Sequence, residues 1–273
     1  MIEAVALEPI PGGDLNAAYR ATLAGGEVVF VKTSPDAAPG AYAAEAAGLV
    51  WLGEAGGLPV PEVHSFDEDF LALEWIDGGG RPDAAQLGRG LAKVHAAGAA
   101  RFGELPGGGG KDYVLGPLTL PNAPRDDWPG FYAESRLLPL AEQAARRGAL
   151  GGDGVRAVER VASKIHDLAG PAEPPARLHG DLWSGNVHAA QDGTPYLIDP
   201  AAYGGHREVD LAMLSLFGAP SREFYDNYDA VAPRAEGHQE RVGLYQLLPL
   251  LVHAVLFGGG YGAAATRAAR RYV

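Results

Sequence analysis

Residues Arg177–Asp199 run RLHGDLWSGNVHAAQDGTPYLID. His179-Gly180-Asp181 is followed by Asn186 five residues after the aspartate, and Asp199 closes the stretch. The D-x-x-x-x-N spacing is that of a loop that transfers the terminal phosphoryl group of ATP. Such transfer needs metal ions bridging the phosphates, an in-line acceptor and a group that takes the acceptor's proton. Asp181, on a tight turn, is the candidate base facing an acceptor hydroxyl, and Asn186 offers a neutral amide oxygen to a hard cation. Val187 to Ala190, an Asp192-Gly193 turn and Tyr196 to Ile198 have the pattern of a hairpin. A hairpin returns Asp199 to Asn186, and the two make a candidate magnesium site. Singly, each residue has an ordinary reading: Asp after Gly as a turn residue, Asn before a strand as an Asx turn, Asp-Pro as a strand end. Their joint order favours the chemistry. His179 is read as shaping the loop by hydrogen bonding.

Composition narrows the setting. A chain of 273 residues, 47% apolar, can bury a sizeable core in one large or two modest domains. A net charge of −12 argues against nucleic acid or anionic membrane as a partner, since those need basic patches. The absence of cysteine excludes disulfides, thiol catalysis and cysteine-bound zinc, and leads to the expectation of a cytoplasmic protein. The start MIEAVALEP, with Glu3 and Pro9 and no basic cluster, does not resemble a secretory signal. Leu244 to Gly259 is the most apolar run, interrupted by Gln246, Pro249 and His253, and is expected to be a buried helix.

The pattern along the chain predicts an α+β, two-lobed fold: a nucleotide-binding lobe over residues 1–76 with a small antiparallel sheet, and a mainly helical catalytic and substrate-binding lobe over 77–273. Ala18 to Leu23 and Glu27 to Lys32 read as strands around a Gly25-Gly26 turn. A helix is predicted from Ala41 to Glu54, with Ala43, Ala46, Ala47, Val50 and Trp51 at helical intervals. Lys32 on a strand and Glu45 on the next helix make a pair able to orient an ammonium toward ATP phosphates, although each alone reads as a surface residue. Gly12-Gly13 is a turn able to approach phosphates closely. Phe70 to Ile76 is a strand running into a glycine-rich linker, and Glu74, Trp75 and Ile76 are candidates for backbone contact with adenine, or else ordinary sheet and linker. Beyond it, Asp83 to Ala97 is a capped helix, on which His95 is expected to be packed and hydrogen-bonded. Arg101 to Arg125 is expected to be a long loop, with helices near 128–147, 154–168, 209–217, 222–228 and 234–257.

HGDLWSGNV, the block Leu197 to Gly218, FYDNY (Phe224 to Tyr228), the tail Leu244 to Tyr261, DYVLGPLTLPN (Asp112 to Asn122) and DWPGFYAESRL (Asp127 to Leu137) together resemble the fructosamine kinase, or ketosamine-3-kinase, family. That family shares the protein-kinase-like fold of aminoglycoside phosphotransferases. HGDxxxxN with a later Asp marks only the wider superfamily; Trp183 and the DPAAYGGHRExDLAM block narrow it. The resemblance implies that Asp181 is the base, Asn186 and Asp199 the magnesium ligands, Lys32 the phosphate-contacting lysine and Glu45 its partner. It places Trp183 in the sugar pocket, where an indole stacks on a sugar face, His206 with Arg207 and Glu208 at the substrate rim, and Asp210 as a brace of the catalytic loop. The atypical glycine turn at 11–15, and Tyr113 and Leu120 where relatives carry polar residues, bear on acceptor preference.

The implied activity is ATP- and Mg2+-dependent phosphorylation of a small-molecule or lysine-linked ketoamine, at carbon 3 of the sugar, initiating deglycation. Two other readings stand beside it: a kinase for aminoglycosides, choline or a similar metabolite, and a nucleotide-binding pseudokinase. Intact Lys32, Asp181, Asn186 and Asp199 weigh against the last.

Overall fold

The computed structural model describes residues 4–11, 16–108 and 112–273; Gly12 and Gly13 of the predicted phosphate turn lie outside the described residues. The smaller lobe is a five-stranded antiparallel sheet of β1 (Ala4–Ile10), β2 (Ala17–Leu23), β3 (Val28–Thr33), β4 (Val63–Phe66) and β5 (Leu71–Glu74), in the order β1-β2-β3-β5-β4. Strand β3 is central, and Lys32 near its end is paired with Ala18 on one side and Leu71 on the other. The helix α1 (Ala41–Glu54) lies over this sheet with Tyr42, Ala46 and Leu49 packed on Leu71 and Leu73. Its buried face therefore differs from the predicted one: Val50 is 55% exposed. An alanine-rich helix with apolar residues on every side does not disclose which stripe faces inward.

The larger lobe comprises α2 (Ala84–Ala96), β6 (Asp112–Leu115), β7 (Leu118–Pro121), α3 (Trp128–Tyr132), α4 (Leu138–Arg146), α5 (Gly152–Ser163), α6 (Ile165–Leu168), β8 (Ala176–Leu178), β9 (Val187–Ala189), β10 (Pro195–Leu197), β11 (Tyr203–Gly205), α7 (Glu208–Leu214), α8 (Arg222–Asp229), α9 (His238–Tyr245), α10 (Leu247–Phe257) and α11 (Tyr261–Ala269). The pairs β6–β7, β9–β10 and β8–β11 are separate two-stranded antiparallel ladders. Asp83 caps α2 by accepting from the Gln86 N–H at 2.8 Å. A π-helical stretch, Ala133–Leu137, joins α3 to α4.

Two predictions change here. The expected loop 101–125 contains the β6–β7 hairpin, turned by Gly116 at φ 55°; prolines and glycines around two four-residue strands hide their alternation. The single helix predicted for 234–257 begins at His238 and consists of α9 and α10, with Gln246 between them. Pro249 is tolerated because it falls in the first turn of α10, where an N–H is not needed. Together α9 and α10 form a 20-residue run, long and apolar enough to cross a membrane, that is largely buried inside this lobe.

The lobes meet along α1. Leu52 packs with Val94 of α2 and Ala202, and Gly48 lies so close to Pro200 and Ala202 that an added Cβ would be 3.3 Å from the Ala202 Cβ. Leu52 is fully buried, so Leu52→Ala should cost about 2–5 kcal/mol, read as a lowered midpoint in urea unfolding with an unchanged slope.

Candidate active site

Lys32, only 4% exposed, extends from β3 to two carboxylates. Its Nζ lies 2.5 Å from Glu45 Oε2 on α1 and 2.8 Å from Asp199 Oδ1 in the larger lobe. Burial opposes the lysine's charge, but the two carboxylates more than offset it and hold the pKa above the ordinary lysine value. Asp199 is held below the usual carboxylate range, the nearby ammonium outweighing desolvation. Glu45 goes the other way: burial dominates its attraction to Lys32, and the Asp199 charge adds to the effect, so its pKa rises to about 7. Asp199 has φ 53°, the one non-glycine left-handed residue among the described residues. Such backbone is costly and persists where the surroundings fix it. Its side chain is 44% exposed.

The loop holding Asp181 is tied down on several sides. Gly180 has φ 84°, and a Cβ there would lie 1.9 Å from the Ala201 carbonyl oxygen, so the middle of His-Gly-Asp admits only glycine. The Asp210 carboxylate accepts the N–H groups of His179 at 2.7 Å and Gly180 at 3.0 Å. It also lies 3.2 Å from His95 Nε2, whose Nδ1 is 2.7 Å from the Tyr228 hydroxyl. Asp210, His95 and Tyr228 are all buried, so these bonds are shielded from water. His179 is buried and its pKa is lowered by desolvation, which leaves the ring neutral. Its Nδ1 accepts from the Asp181 N–H at 3.3 Å and its Nε2–H donates to the Ile198 carbonyl at 2.9 Å. The ring thereby links the backbone of Asp181 to the residue before Asp199, the shaping role expected of it.

Asn186 sits against Asp181, its Nδ2 donating to the Asp181 carbonyl at 2.8 Å and to Asp181 Oδ2 at 3.1 Å. That orientation turns the amide oxygen away from the aspartate. The β9–β10 hairpin forms as the sequence predicts, with Val187 opposite Leu197, and the Ile198 N–H donates to the Asn186 carbonyl at 3.1 Å. Asp181, Asn186, Asp199 and Lys32 are thus joined in one hydrogen-bonded neighbourhood. Burial, then the Asp199 charge, pushes the Asp181 pKa up to about 6, against the bond from Asn186.

No cluster of three or more His, Cys, Asp or Glu side chains able to hold a metal occurs among the described residues. A carboxylate and an amide oxygen are nonetheless a fitting donor set for magnesium, which is bound through one or two protein oxygens plus water and substrate phosphates.

The linker lies against the β9–β10 hairpin. Gly78 bridges to Ala190, and the Ile76 carbonyl accepts from His188 Nε2 at 3.1 Å. Glu74, Trp75 and Ile76, with Asp77 and residues of the hairpin, line a cavity of about 390 Å3 that does not include Lys32 or Asp199. Trp183, two residues beyond Asp181, is 39% exposed; its ring lies over Gly185 and meets Phe217 edge-on at 6.0 Å. His206 departs from expectation: it is 2% exposed, stacked on Tyr245 at 5.3 Å and tilted against Trp128, with its pKa driven down to about 4 by burial. Its neighbours are engaged as well, Arg207 with Glu173 and Glu208 with Arg241. The GHRE segment turns inward with Arg207 and Glu208 paired to distant residues, pairings that no local pattern reveals, while His206 Nε2 has no hydrogen-bond partner among the described residues. His95 was legible as a buried hydrogen-bonded residue, but its partners Asp210 and Tyr228 were not.

The sequence profile of the fructosamine kinase family matches residues 1–273. A probable ketoamine kinase of Thermus thermophilus is 38% identical over 260 residues, covering 95% of this chain and 91% of the relative. The chloroplastic protein-ribulosamine 3-kinase of Arabidopsis thaliana is 35% identical over 266 residues, 94% of this chain and 79% of that protein. A crystal structure from Thermobifida fusca, of a protein provisionally assigned as a fructosamine-3-kinase, superposes with a TM-score of 0.87 at 48% identity, covering 99% of this chain and 95% of the other. A choline kinase from Streptococcus pneumoniae shares the fold at 16% identity and a TM-score of 0.63, covering 97% and 93%.

The raised Asp181 pKa has a consequence for stability. The folded value, about 6, exceeds the ordinary aspartate value of 3.8, so the folded chain binds this proton more tightly than the unfolded one. The contribution favours the fold below the unfolded pKa and is lost as pH rises through about 6. Asp181→Asn should therefore melt above the wild type at pH 7.5, with the gap closing toward pH 4; thermal scans at both pH values check it.

Proposed function

Because the chain belongs to the fructosamine kinase family, we propose that it transfers the terminal phosphoryl group of ATP to a hydroxyl of a ketoamine, at carbon 3 of the sugar. The observation that carries this reading is that two bonded pairs, Lys32 with Asp199 and Asn186 with Asp181, are tied to each other through the backbone of Ile198, which bonds to both Asn186 and His179. Asp181 takes the proton from the acceptor hydroxyl, and a carboxylate whose pKa is near 6 is matched to that task at neutral pH. Lys32, oriented by Glu45, exchanges its bond to Asp199 for one to the nucleotide phosphates. Asn186 and Asp199 hold magnesium, which when bound offsets charge on the phosphates. The backbone of Glu74–Ile76 is the proposed contact for adenine, and Gly12-Gly13, outside the described residues, keep the phosphate role read from the sequence. The exposed face of Trp183 stacks on the sugar. His206 has no place in this assignment.

Phosphate at carbon 3 has a chemical consequence. Once the ketoamine enolises toward the nitrogen-bearing carbon, the phosphate is an allylic leaving group. Its expulsion followed by imine hydrolysis releases the amine, so one enzymatic step initiates deglycation of a free or lysine-linked adduct. The name of the Arabidopsis relative, a protein-ribulosamine 3-kinase, supports both the position and the attached amine. The requirement for ATP, with no cysteine in the chain, suits work in the cytoplasm.

The test is a panel of ribulosyl-, erythrulosyl- and fructosyl-lysine with magnesium-ATP, followed by phosphorus NMR. A 3-phosphorylated ketoamine is expected; phosphorylation of choline or an aminoglycoside alone would overturn the acceptor assignment. Asp181→Asn should lower kcat by about 10²- to 10⁴-fold, the range for loss of a general base, while ATP affinity measured by calorimetry stays within a few-fold.

A further inference from the structure

Arg136 is an anomaly. It lies on the π-helical stretch between α3 and α4, is 0% exposed, and pairs with no carboxylate of the described residues. Its guanidinium sits over three aromatic rings, with Tyr113 at 4.2 Å, Tyr203 at 4.5 Å and Phe131 at 4.6 Å. Nη1 donates to the Ser135 carbonyl and Nη2 to Asn122 Oδ1, while Nε finds no partner among the described residues. An unpaired buried charge is strongly unfavourable, and an apolar side chain of similar volume would serve packing better. Breaches of this kind concentrate where function requires them, and π-turns inside helices do the same.

Two of the caging residues lead to the acids of the active site. The Tyr113 hydroxyl donates to the Ala201 carbonyl at 2.9 Å, and this is the oxygen against which Gly180 is packed. Tyr203 is paired across the β8–β11 ladder with Leu178, the residue before His179. The guanidinium therefore bears on both chain segments that carry reacting groups, 178–181 and 199–203. Charge gives a second reason. Asp181, Asp199, Asp210 and Glu45 gather in this site, and among the described residues only Lys32 is in salt-bridge contact with any two of them.

We infer that Arg136 is a positioning residue for phosphoryl transfer: its buried positive charge, held between Tyr113 and Tyr203, fixes the two acid-bearing segments from behind. The inference rests on the kinase reading but not on the identity of the acceptor. It is not a role in binding nucleotide, so the loss belongs in kcat.

The test compares Arg136→Lys, which keeps the charge, with Arg136→Met, which keeps the approximate volume. Turnover is read both on the ketoamine and as ATP hydrolysis without acceptor, so a wrong acceptor does not conceal the result. Met should lower kcat by about 10- to 100-fold, the usual effect of removing support behind a metal-binding group, with KM for ATP within twofold. Lys should recover part of that loss, yet Met should melt at or above Lys. The two orders cross only if the charge serves catalysis at the expense of stability. A merely structural cation predicts that the order of kcat follows the order of melting temperature; that outcome, or a kcat for Met equal to or above that for Lys, overturns the inference. Should Arg136→Met fail to fold, Tyr113→Phe removes only the hydroxyl, and an unchanged kcat there overturns it equally.

Discussion

The contact between Lys32 and the pair Glu45 and Asp199 is what the rest of the site depends on. One ammonium, buried at the end of a central strand, joins a helix of the small lobe to a loop of the large one. A buried lysine is tolerated only when its charge is met, and breaking such a contact from one side leaves the other group stranded. The surrounding fold serves this constraint. The interlobe packing of Leu52, Val94 and Ala202 sets α1 at the height where Glu45 reaches the strand, and Gly48 lets the helix approach Pro200 and Ala202 just beyond Asp199.

From that point the site extends by short bonds rather than by long loops. Asp199 is held in a left-handed conformation, one residue after the carbonyl that His179 grips. His179 in turn presents Asp181, and Asp210 holds the backbone of the same turn from the opposite side. Each acidic group is thus positioned through its backbone as well as by a side-chain bond, from Asn186 to Asp181 and from Lys32 to Asp199. Asp181 and Asp199 differ in proton affinity because burial and then the like charge of Asp199 raise the first, whereas the Lys32 ammonium outweighs burial at the second. Two residues of the same type are thus given opposite proton affinities by environment alone, as the proposed division into base and cation ligand requires.

Much of this was legible in the sequence because it is local. The His179–Asp181 turn, the β9–β10 hairpin and the Lys32-to-Glu45 contact each lie within short stretches, although Lys32 and Glu45 singly read as surface residues and pair only when set beside the His-Gly-Asp motif. The boundaries of α1 were legible too, but not its buried face, since alanines on all sides leave no preferred stripe. The β6–β7 hairpin was hidden by its own glycine and prolines. His206 was placed on the substrate rim, whereas the structure stacks it on Tyr245 within the core. Arg136 with Tyr113 and Tyr203, and Asp210 with His95 and Tyr228, are assemblies of residues far apart in the chain. Their partners are chosen by tertiary packing, which local spacing does not encode.

Under the proposed assignment Lys32, Asn186 and Asp199 form a nucleotide site in which the lysine changes partner. A crystal structure with manganese and a non-hydrolysable ATP analogue tests it most directly, since manganese is located by its anomalous scattering. A manganese peak is expected between Asn186 and Asp199, with Lys32 moved from the Asp199 carboxylate to a phosphate oxygen. A nucleotide bound away from these residues, or a lysine still on Asp199 beneath a fully ordered triphosphate, would contradict it.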